Sequence, residues 1–370
     1  MLNKKIVPVN IEELKPYVAG KTIEEVVKEY KPERISKLAS NENRLGYSNA
    51  VNDAVNRALS VVNNYPDPQS LALRAAIADT LKIESDQIVV ASGSESLISM
   101  LCRTFFQDGD EIITADATFI GMLIQAKIQN IEVSKIPLTH DYRFDVRALV
   151  DAISPKTRML YIANPNNPTG TFITQQEFDW MMENVPEDVL VVMDEAYYEF
   201  AYQLADFPDA LNSGYDNLII LRTFSKGYGL AGFRIGYAIA EKKLIVYLHK
   251  TKLTFEPGAL AQAAALAAWH DTEFLTKTVD LCDKASAKLY RYFEDRSVKY
   301  VRSATNFVMI VFDNEEEASH FTTEMLKRGV ILRWLRAFGL ADCVRVTFGT
   351  DEEMDHFISS MDEVKNWIKK

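Results

Sequence analysis

Lys226 lies in the stretch RTFSKGYGLAGFRIGY, residues 222–237, where several residue types that can do chemistry are close together. The lysine follows an apolar run, and Arg222 and Arg234 flank it. Burial and neighbouring positive charge both disfavour an ammonium ion, so we expect the pKa of this amine to be lowered. A neutral amine is a nucleophile that can form a Schiff base with an aldehyde. A surface lysine at a turn is the alternative, but it leaves the crowding of arginines and hydroxyls in this turn unexplained.

The glycines of this stretch, Gly227-Tyr-Gly229-Leu-Ala-Gly232, match the dinucleotide-binding pattern G-x-G-x-x-G. That pattern should be followed, about twenty residues later, by an acidic residue that binds a ribose. Residues 249–255 of this chain read HKTKLTF, which is cationic and apolar. We therefore interpret the glycines as giving close backbone access to Lys226, and a nicotinamide-dependent dehydrogenase is disfavoured.

Three further polar clusters each follow a predicted strand. They are SGSES at residues 92–96, NPNNPTG at residues 164–170 and DEAY at residues 194–197. Ligands of open α/β sheets bind beyond the carboxyl ends of the strands, so these clusters should meet at one crevice. A helix N-terminus after SGSES favours an anion, and a buried Asp194 needs a cation or several donors. One known use of such a carboxylate is to keep the ring nitrogen of pyridoxal phosphate protonated, although an ordinary helix cap and a structural ion pair are the better interpretations of each cluster alone.

Short apolar runs alternate with segments of helical periodicity over most of the chain, which predicts a mostly parallel sheet covered by helices on both faces. The runs predicted as strands are QIVVAS, EIITA, IEVSKIPL, RMLYIAN, VLVVMDEA and NLIILRT. A long amphipathic helix, the strands NFVMIVFD, VILR and CVRVTFGT, and two more helices predict a smaller α+β domain after them. The predicted divisions are 1–48 for an N-terminal arm and the first part of the small domain, 49–271 for a large domain and 272–370 for the C-terminal small domain.

Composition narrows the partners and the compartment. The net charge of −11 disfavours nucleic acid and anionic membranes, because the summed field repels both. Three separated cysteines in no metal or redox spacing indicate thiols in a reducing cytosol, and the five histidines show no metal-ligand spacing. We expect no secretory signal and no membrane span, since the longest apolar run, GALAQAAALAAW, is too short. A cytoplasmic protein without a metal is therefore predicted.

Seven motifs together resemble one family. LASNENRLGYS, NNYPD, NPNNPTG, DEAYYEF, RTFSKGYGLAGFRIGY, ILR and RVTFGT occur in the order and approximate spacing of the pyridoxal-phosphate enzymes of fold type I, and within them most resemble the histidinol-phosphate aminotransferase branch. The resemblance covers nearly the whole chain. It implies a mixed, mostly parallel central sheet with helices on both faces, a smaller α+β domain and an N-terminal arm.

The resemblance also implies a role for each matching residue. Lys226 would form the Schiff base with pyridoxal phosphate and then move the proton, and Asp194 would pair with the ring nitrogen, held ionised by a cationic partner. The other implied cofactor contacts are Asn167 and Tyr197 at the phenolic oxygen, Phe119 on the ring, and Ser94, Glu95, Thr223, Ser225 and Arg234 at the phosphate. Tyr197 would share the catalytic task with Lys226 and Asp194.

The remaining implied contacts concern the partner subunit and the substrate. Tyr65 would reach the cofactor phosphate of the other subunit, which makes a homodimer with shared sites obligatory. Arg345 would bind the substrate carboxylate or help to hold a phosphate, and Arg333, Tyr17 and Asn43 would complete the substrate pocket. The expected reaction is amino transfer from histidinol phosphate to 2-oxoglutarate.

The sequence departs from the branch where Arg44 and Tyr47 replace common prolines and Gly227 replaces the usual alanine. Arg44 is next to Asn43, which leaves the substrate preference open. An aromatic amino acid aminotransferase and a decarboxylase of a phosphorylated amino acid, such as phosphothreonine, share the cofactor residues and stay as alternatives. An idle domain of this fold that serves as a regulator would need an attached DNA-binding module, for which we expect no room before the first motif.

Overall fold

The computed structural model of the chain describes residues 6–14 and 20–364. Its α-helices are α1 (Val9–Glu12), α2 (Ile23–Tyr30), α3 (Ala50–Leu59), α4 (Leu71–Leu81), α5 (Ser94–Phe105), α6 (Ile120–Ile128), α7 (Val146–Asp151), α8 (Gln175–Asn184), α9 (Tyr198–Ala201), α10 (Lys242–Thr251), α11 (Ala259–His270), α12 (Thr272–Asp295), α13 (Glu315–Lys327) and α14 (Asp351–Glu363). Its strands are β1 (Ser36–Lys37), β2 (Ile88–Ala91), β3 (Glu111–Ala115), β4 (Glu132–Ile136), β5 (Thr157–Ala163), β6 (Leu190–Asp194), β7 (Leu218–Thr223), β8 (Gly236–Ala240), β9 (Tyr300–Val301), β10 (Phe307–Val311), β11 (Val330–Ile331), β12 (Arg333–Trp334) and β13 (Cys343–Thr347).

Seven strands form the central sheet, in the order β2-β8-β7-β6-β5-β3-β4. All neighbours are parallel except β8, which runs antiparallel to both β2 and β7. The mixed, mostly parallel sheet predicted from the sequence is therefore confirmed. Sequence reasoning missed β8 itself, because GYAIA directly follows a glycine-rich turn and contains one β-branched residue.

Both faces of the sheet are covered, as continuous apolar strands require. Along β6, Val191 and Met193 join the core formed with α3, α4, α8 and α11, whereas Val192 joins the core with α5, α6 and α10. All three side chains are buried. Alternate residues of a strand point to opposite faces, so one apolar run fills two cores.

The second lobe has its own core, which contains Leu38 together with side chains of α12, α13, α14, β10 and β13. Its antiparallel sheet has the order β12-β13-β10-β9, while β1 pairs in parallel with β11. The run VILR, predicted as one strand, is thus divided between two sheets. The predicted divisions at residues 48 and 271 stay predictions. Within the described ranges, no helix is both long and apolar enough to span a bilayer.

Gly229 allows the turn after Lys226 to pack against the backbone of residues 46–47. Its φ is +72°, and an added Cβ would lie 1.9 Å from the carbonyl oxygen of Gly46. Gly214 also has a positive φ, +77°, but an added Cβ would meet nothing within 4 Å. Comparing alanine substitutions at Gly229 and Gly214 therefore distinguishes the steric clash, present only at Gly229, from the cost of a positive φ, which both positions share.

We expect Gly229→Ala to lower the free energy of unfolding by about 1–3 kcal/mol more than Gly214→Ala, because only the first adds overpacking to the cost of a left-handed backbone. Urea unfolding followed by circular dichroism measures the difference. Equal losses in the two variants would mean that the close approach of residues 46–47 contributes nothing to stability.

Candidate active site

The carboxyl ends of β2, β3, β5, β6 and β7 open onto one inner cavity of about 150 Å³. Every residue that the sequence assigned to the cofactor in this subunit lines it: Ser94, Glu95, Phe119, Asn167, Asp194, Tyr197, Thr223, Ser225, Lys226 and Arg234. Parallel strands bring their carboxyl ends to the same edge, which explains why polar clusters far apart in the chain meet here.

Asp194 is the last residue of β6 and is buried. Its carboxylate accepts a hydrogen bond from the hydroxyl of Tyr161 on β5 and one from the backbone N–H of Ala196 at 3.2 Å. Burial raises the pKa of Asp194 to about 6, against the opposing effects of these two donors and of the Lys226 charge. Of the two possibilities that the sequence left open for this carboxylate, a cation or several donors, the chain supplies two neutral donors. Tyr161 was missed, and its only sequence signal is a hydroxyl inside an otherwise apolar strand.

Lys226 has the lowered pKa that its sequence context predicts. Burial lowers the pKa of its amine to about 8, with further lowering by the charges of Arg345 and Arg234, while Glu42 and Asp194 act in the opposite direction. The amine lies 5.6 Å from the centre of the Tyr197 ring. A substantial fraction of the amine is therefore neutral near physiological pH.

Arg222, which the sequence placed beside this amine, is instead held by other partners. Its guanidinium is 2.8 Å from Glu195 in a fully buried ion pair and lies 3.4 Å above the ring of Tyr198. Arg222 therefore stabilises the structure behind the cavity and, in the part of the chain that the structure describes, does not line the cavity itself. The neighbouring cation that the sequence could not identify is Arg345, which comes from the other lobe.

One end of the inner cavity is built for an anion. Helix α5 begins there at Ser94, and its first N–H groups carry partial positive charge. Arg234 donates to the hydroxyl of Ser225 at 3.4 Å and to the carbonyl of Ala231 at 3.0 Å. Gly93 has a φ of +88°, and an added Cβ would lie 2.9 Å from the Arg234 guanidinium. Glycine at this position lets the cation approach the helix terminus closely.

Tyr197 and Asn167 also line this cavity, and residues of the second lobe hold them. The Tyr197 hydroxyl accepts a hydrogen bond from Asn41 at 2.7 Å, and the side-chain oxygen of Asn167 accepts one from Arg345. Arg345 also donates to the carbonyl oxygen of Ala39 at 2.9 Å. The segment 39–41 and β13 therefore close the site from the side of the second lobe.

A larger outer cavity of about 990 Å³ continues from Lys226, Tyr197 and Asn167 toward the surface. Arg333 on β12 and Arg345 on β13 are directly opposite each other in the antiparallel register, and both line this cavity. Like charges opposite each other on a sheet are unfavourable unless an anion lies between them. The apolar part of the wall includes Phe119, Ile120, Ile124 and Phe338.

Of the substrate residues named from the sequence, Asn43 lies outside the wall of the outer cavity as far as the described residues show. The amide of Asn43 donates to the carbonyl of Gly227 and to the hydroxyl of Thr278, each at 2.9 Å, and among the described residues it is Asn41 that lines the cavity. Asn43 thus supports the Lys226 turn from behind. Tyr17 lies outside the described residues.

Arg44 is not part of the wall of the outer cavity as residues 6–14 and 20–364 form it. Its guanidinium forms two-point contacts with Glu353 in the first turn of α14, with Nε 3.0 Å from Oε1 and 3.1 Å from Oε2. The doubt about substrate preference that its position raised is therefore not supported by its contacts.

Tyr65 is absent from both cavities of its own chain, within the described ranges. Its side chain is 78% exposed and stacks on Phe255, with ring centroids 4.1 Å apart. This placement is compatible with a role outside its own subunit.

Comparison with known proteins gives a consistent result. Residues 33–361 match the family described as aminotransferase class I and II. The chain is 40% identical over 353 residues to histidinol-phosphate aminotransferase 2 of Carboxydothermus hydrogenoformans, covering 95% of this chain and 97% of the relative. It is 39% identical to histidinol-phosphate aminotransferase of a Geobacillus species, covering 95% and 96%. The fold is similar, with a TM-score of 0.88, 26% identity and 96% coverage of each chain, to the crystal structure of histidinol-phosphate aminotransferase from Sinorhizobium meliloti in complex with pyridoxal 5′-phosphate.

The lowered pKa of Lys226 predicts a pH dependence that can be measured without cofactor or substrate. Acylation of the Lys226 amine in cofactor-free protein should rise with pH and level off above about 8, because the pKa is about 8 and only the neutral amine reacts. Arg345→Leu should shift this midpoint upward, since it removes the largest electrostatic cause of the lowering. Peptide mass spectrometry of the acylated protein follows the one residue.

Arg336→Leu is the matched control. Arg336 is 67% exposed and pairs with Glu315 at 3.1 Å, away from the cavity. The Arg336→Leu substitution should leave the pH midpoint of Lys226 acylation unchanged. An equal shift in both variants would show that net charge, and not the Arg345 contact, sets the pKa.

Proposed function

Since the chain belongs to the class I and II aminotransferases, and is a pyridoxal-phosphate-dependent aminotransferase, we propose that it transfers the amino group of histidinol phosphate to 2-oxoglutarate. The products are imidazole acetol phosphate and glutamate, a step of histidine biosynthesis. The observation that carries this proposal is the in-register pair Arg333 and Arg345 at the outer cavity, beyond the amine of Lys226. Relatives that bear the name histidinol-phosphate aminotransferase, at 40% and 39% identity, support it.

The donors of the inner cavity fit pyridoxal phosphate. The N-terminus of α5 with Arg234, Ser225 and Thr223 would hold its phosphate, and Phe119 would lie against its ring. Asn167 and Tyr197 would contact the phenolic oxygen. Asp194 is a buried carboxylate whose two hydrogen-bond donors are both neutral. A protonated ring nitrogen would give this carboxylate a cationic partner, which the chain alone does not supply.

When bound, pyridoxal phosphate supplies an electron sink that weakens the C–H bond of the donor carbon. Lys226 would remove the proton from the donor carbon, and in the second half of the reaction it would give a proton to the carbon of 2-oxoglutarate that becomes the α-carbon of glutamate. A pKa of about 8 suits both directions, because the amine can accept a proton and the ammonium can give it back near neutral pH. Such general acid–base transfer contributes roughly 10²–10⁴-fold to the rate.

The two arginines give the outer cavity its preference for anionic substrates. A phosphate dianion can accept hydrogen bonds from both guanidinium groups at once. The same pair suits 2-oxoglutarate in the second half of the reaction, since that substrate carries two carboxylates. The alternative is an aromatic amino donor, which the wall formed by Phe119, Ile120, Ile124 and Phe338 would accommodate.

A homodimer with shared sites is part of this proposal. Tyr65 would reach the cofactor phosphate of the partner subunit, and its exposed position supports this role. Exposed apolar side chains are frequent in the same part of the chain, including Leu59, Val61, Val62 and Leu71. The cytoplasmic location stays a prediction.

Arg333→Leu should lower kcat/KM for histidinol phosphate roughly 30- to 1,000-fold, because one charged contact to a phosphate is worth about 2–4 kcal/mol. Phenylalanine has no anion at its distal end, so its kcat/KM should change little. Arg345→Leu should lower kcat/KM for both donors and weaken the binding of 2-oxoglutarate. The reason is that Arg345 would hold the phosphate of one donor and the α-carboxylate of the other. Steady-state kinetics with both donors gives the comparison.

Arg336→Leu controls for loss of a positive charge on the same lobe and should leave both donors unaffected. If Arg333→Leu lowers kcat/KM equally for both donors, Arg333 does not recognise the phosphate. An aromatic amino acid aminotransferase then becomes the better proposal.

Hybrid dimers test the shared site. Lys226→Ala and Tyr65→Ala homodimers should each be inactive or nearly so. Mixing them should restore activity, because one site of each hybrid contains both intact residues. Activity is measured after subunit exchange, and the subunit composition is checked by native mass spectrometry. Full activity of a monomer in sedimentation would contradict the shared site.

A further inference from the structure

Tyr65 is held in place by a contact within its own subunit. Its ring is 78% exposed, yet it lies parallel to the ring of Phe255, with centroids 4.1 Å apart and an interplanar angle of 16°. Phe255 is itself 43% exposed. An exposed tyrosine has several open rotamers, so the stack is what restricts the direction in which its hydroxyl points.

The turn that follows Tyr65 is fixed to the same region by two hydrogen bonds. Lys252 donates to the carbonyl of Pro68 at 2.7 Å, and Gln262 donates to the carbonyl of Asp67 at 2.9 Å. Together with the ring stack, these contacts attach residues 65–68 to residues 252–262 at three points. We refer to residues 252–262 as the brace.

Glu256 attaches the brace to the cofactor cavity. The hydroxyl of Ser96 lies 2.9 and 3.1 Å from its two carboxylate oxygens, and Glu256 is only 9% exposed. Ser96 is the third residue of α5, whose first two residues, Ser94 and Glu95, line the inner cavity. The brace therefore has one end on the Tyr65 turn and the other on the anion-binding helix terminus.

We propose that the brace positions Tyr65 for the cofactor phosphate of the partner subunit, with Phe255 and Glu256 as positioning residues. This inference rests on the proposed function, because it takes Tyr65 to act in the partner subunit's site. Phe255 sets the ring direction of Tyr65. Glu256 fixes Phe255 relative to α5. The Tyr65 hydroxyl, which would bind in the partner's site, therefore keeps a defined distance from the N-terminus of α5 in its own subunit.

The test is the cofactor dissociation constant, measured by equilibrium dialysis of the holoenzyme dimer. Tyr65→Phe should weaken binding at least about tenfold, because it removes a hydrogen bond to a charged group. Phe255→Leu should weaken binding roughly 3- to 10-fold, and Phe255→Trp should restore most of it by keeping a ring to stack on. In the Tyr65→Phe background, Phe255→Leu should add less than about twofold, because a positioning residue has no effect once its target group is gone.

A second pair of variants tests the attachment to α5. Glu256→Ala should weaken cofactor binding, since it removes the acceptor for Ser96. Glu256→Gln should bind nearly as well as the original protein, because its side-chain oxygen still accepts that hydrogen bond. Leu253→Ala is the control, as Leu253 is 64% exposed and belongs to the same segment but takes part in neither contact.

The outcomes separate the brace from the shared site. An unchanged dissociation constant in Tyr65→Phe overturns the shared site of the proposed function, and the brace with it. If Tyr65→Phe weakens cofactor binding but Phe255→Leu leaves the dissociation constant unchanged, the brace alone is overturned. Fully additive effects of the two substitutions in the double variant also overturn the brace alone. A loss in Leu253→Ala as large as that in Phe255→Leu also overturns it, because general packing of the segment would then explain both.

Discussion

The removal of two opposite charges from water at one edge of the sheet is the constraint on which the rest of the structure depends. Asp194 ends the buried strand β6 and Lys226 comes three residues after the buried strand β7. Burial is the largest influence on both pKa values, which become about 8 for Lys226 and about 6 for Asp194. Each group is thereby brought toward its neutral form near physiological pH. A desolvated amine and a desolvated carboxylate are each unfavourable alone, and the chain surrounds them with hydrogen-bond donors and neighbouring charges.

The second lobe completes this site by supplying charge and hydrogen bonds that the sheet lacks. Arg345 lowers the pKa of Lys226 and at the same time orients Asn167. Asn41, from the segment that adds Leu38 to the core of the second lobe, donates to Tyr197. The position of the second lobe relative to the sheet therefore sets both the electrostatics of the amine and the direction of two side chains around it.

Much of the fold and of the site followed from local patterns. Continuous apolar runs and helical periodicity identified six of the seven strands of the central sheet, and the residues after those runs were the ones that line the inner cavity. Among the three asparagines of NPNNPTG, only Asn167 faces that cavity. Asn164 accepts from the N–H of Ile173 at 2.8 Å, and Asn166 donates to the carbonyl of Ala117 at 3.0 Å, so both stabilise the turn.

The sequence by itself determined which side chains stand at the strand ends, because strand periodicity and turn chemistry act over a few residues and can be recognised there. Only the tertiary structure decided which charges face one another. Arg222, directly after an apolar run and four residues before Lys226, pairs with Glu195, whereas Arg345, 119 residues after Lys226, acts on the amine. Asn41 rather than Asn43 lines the outer cavity, and Tyr161 supports Asp194 from the neighbouring strand. These assignments depend on register and on how the two lobes pack, which are long-range outcomes of burial that no local spacing specifies.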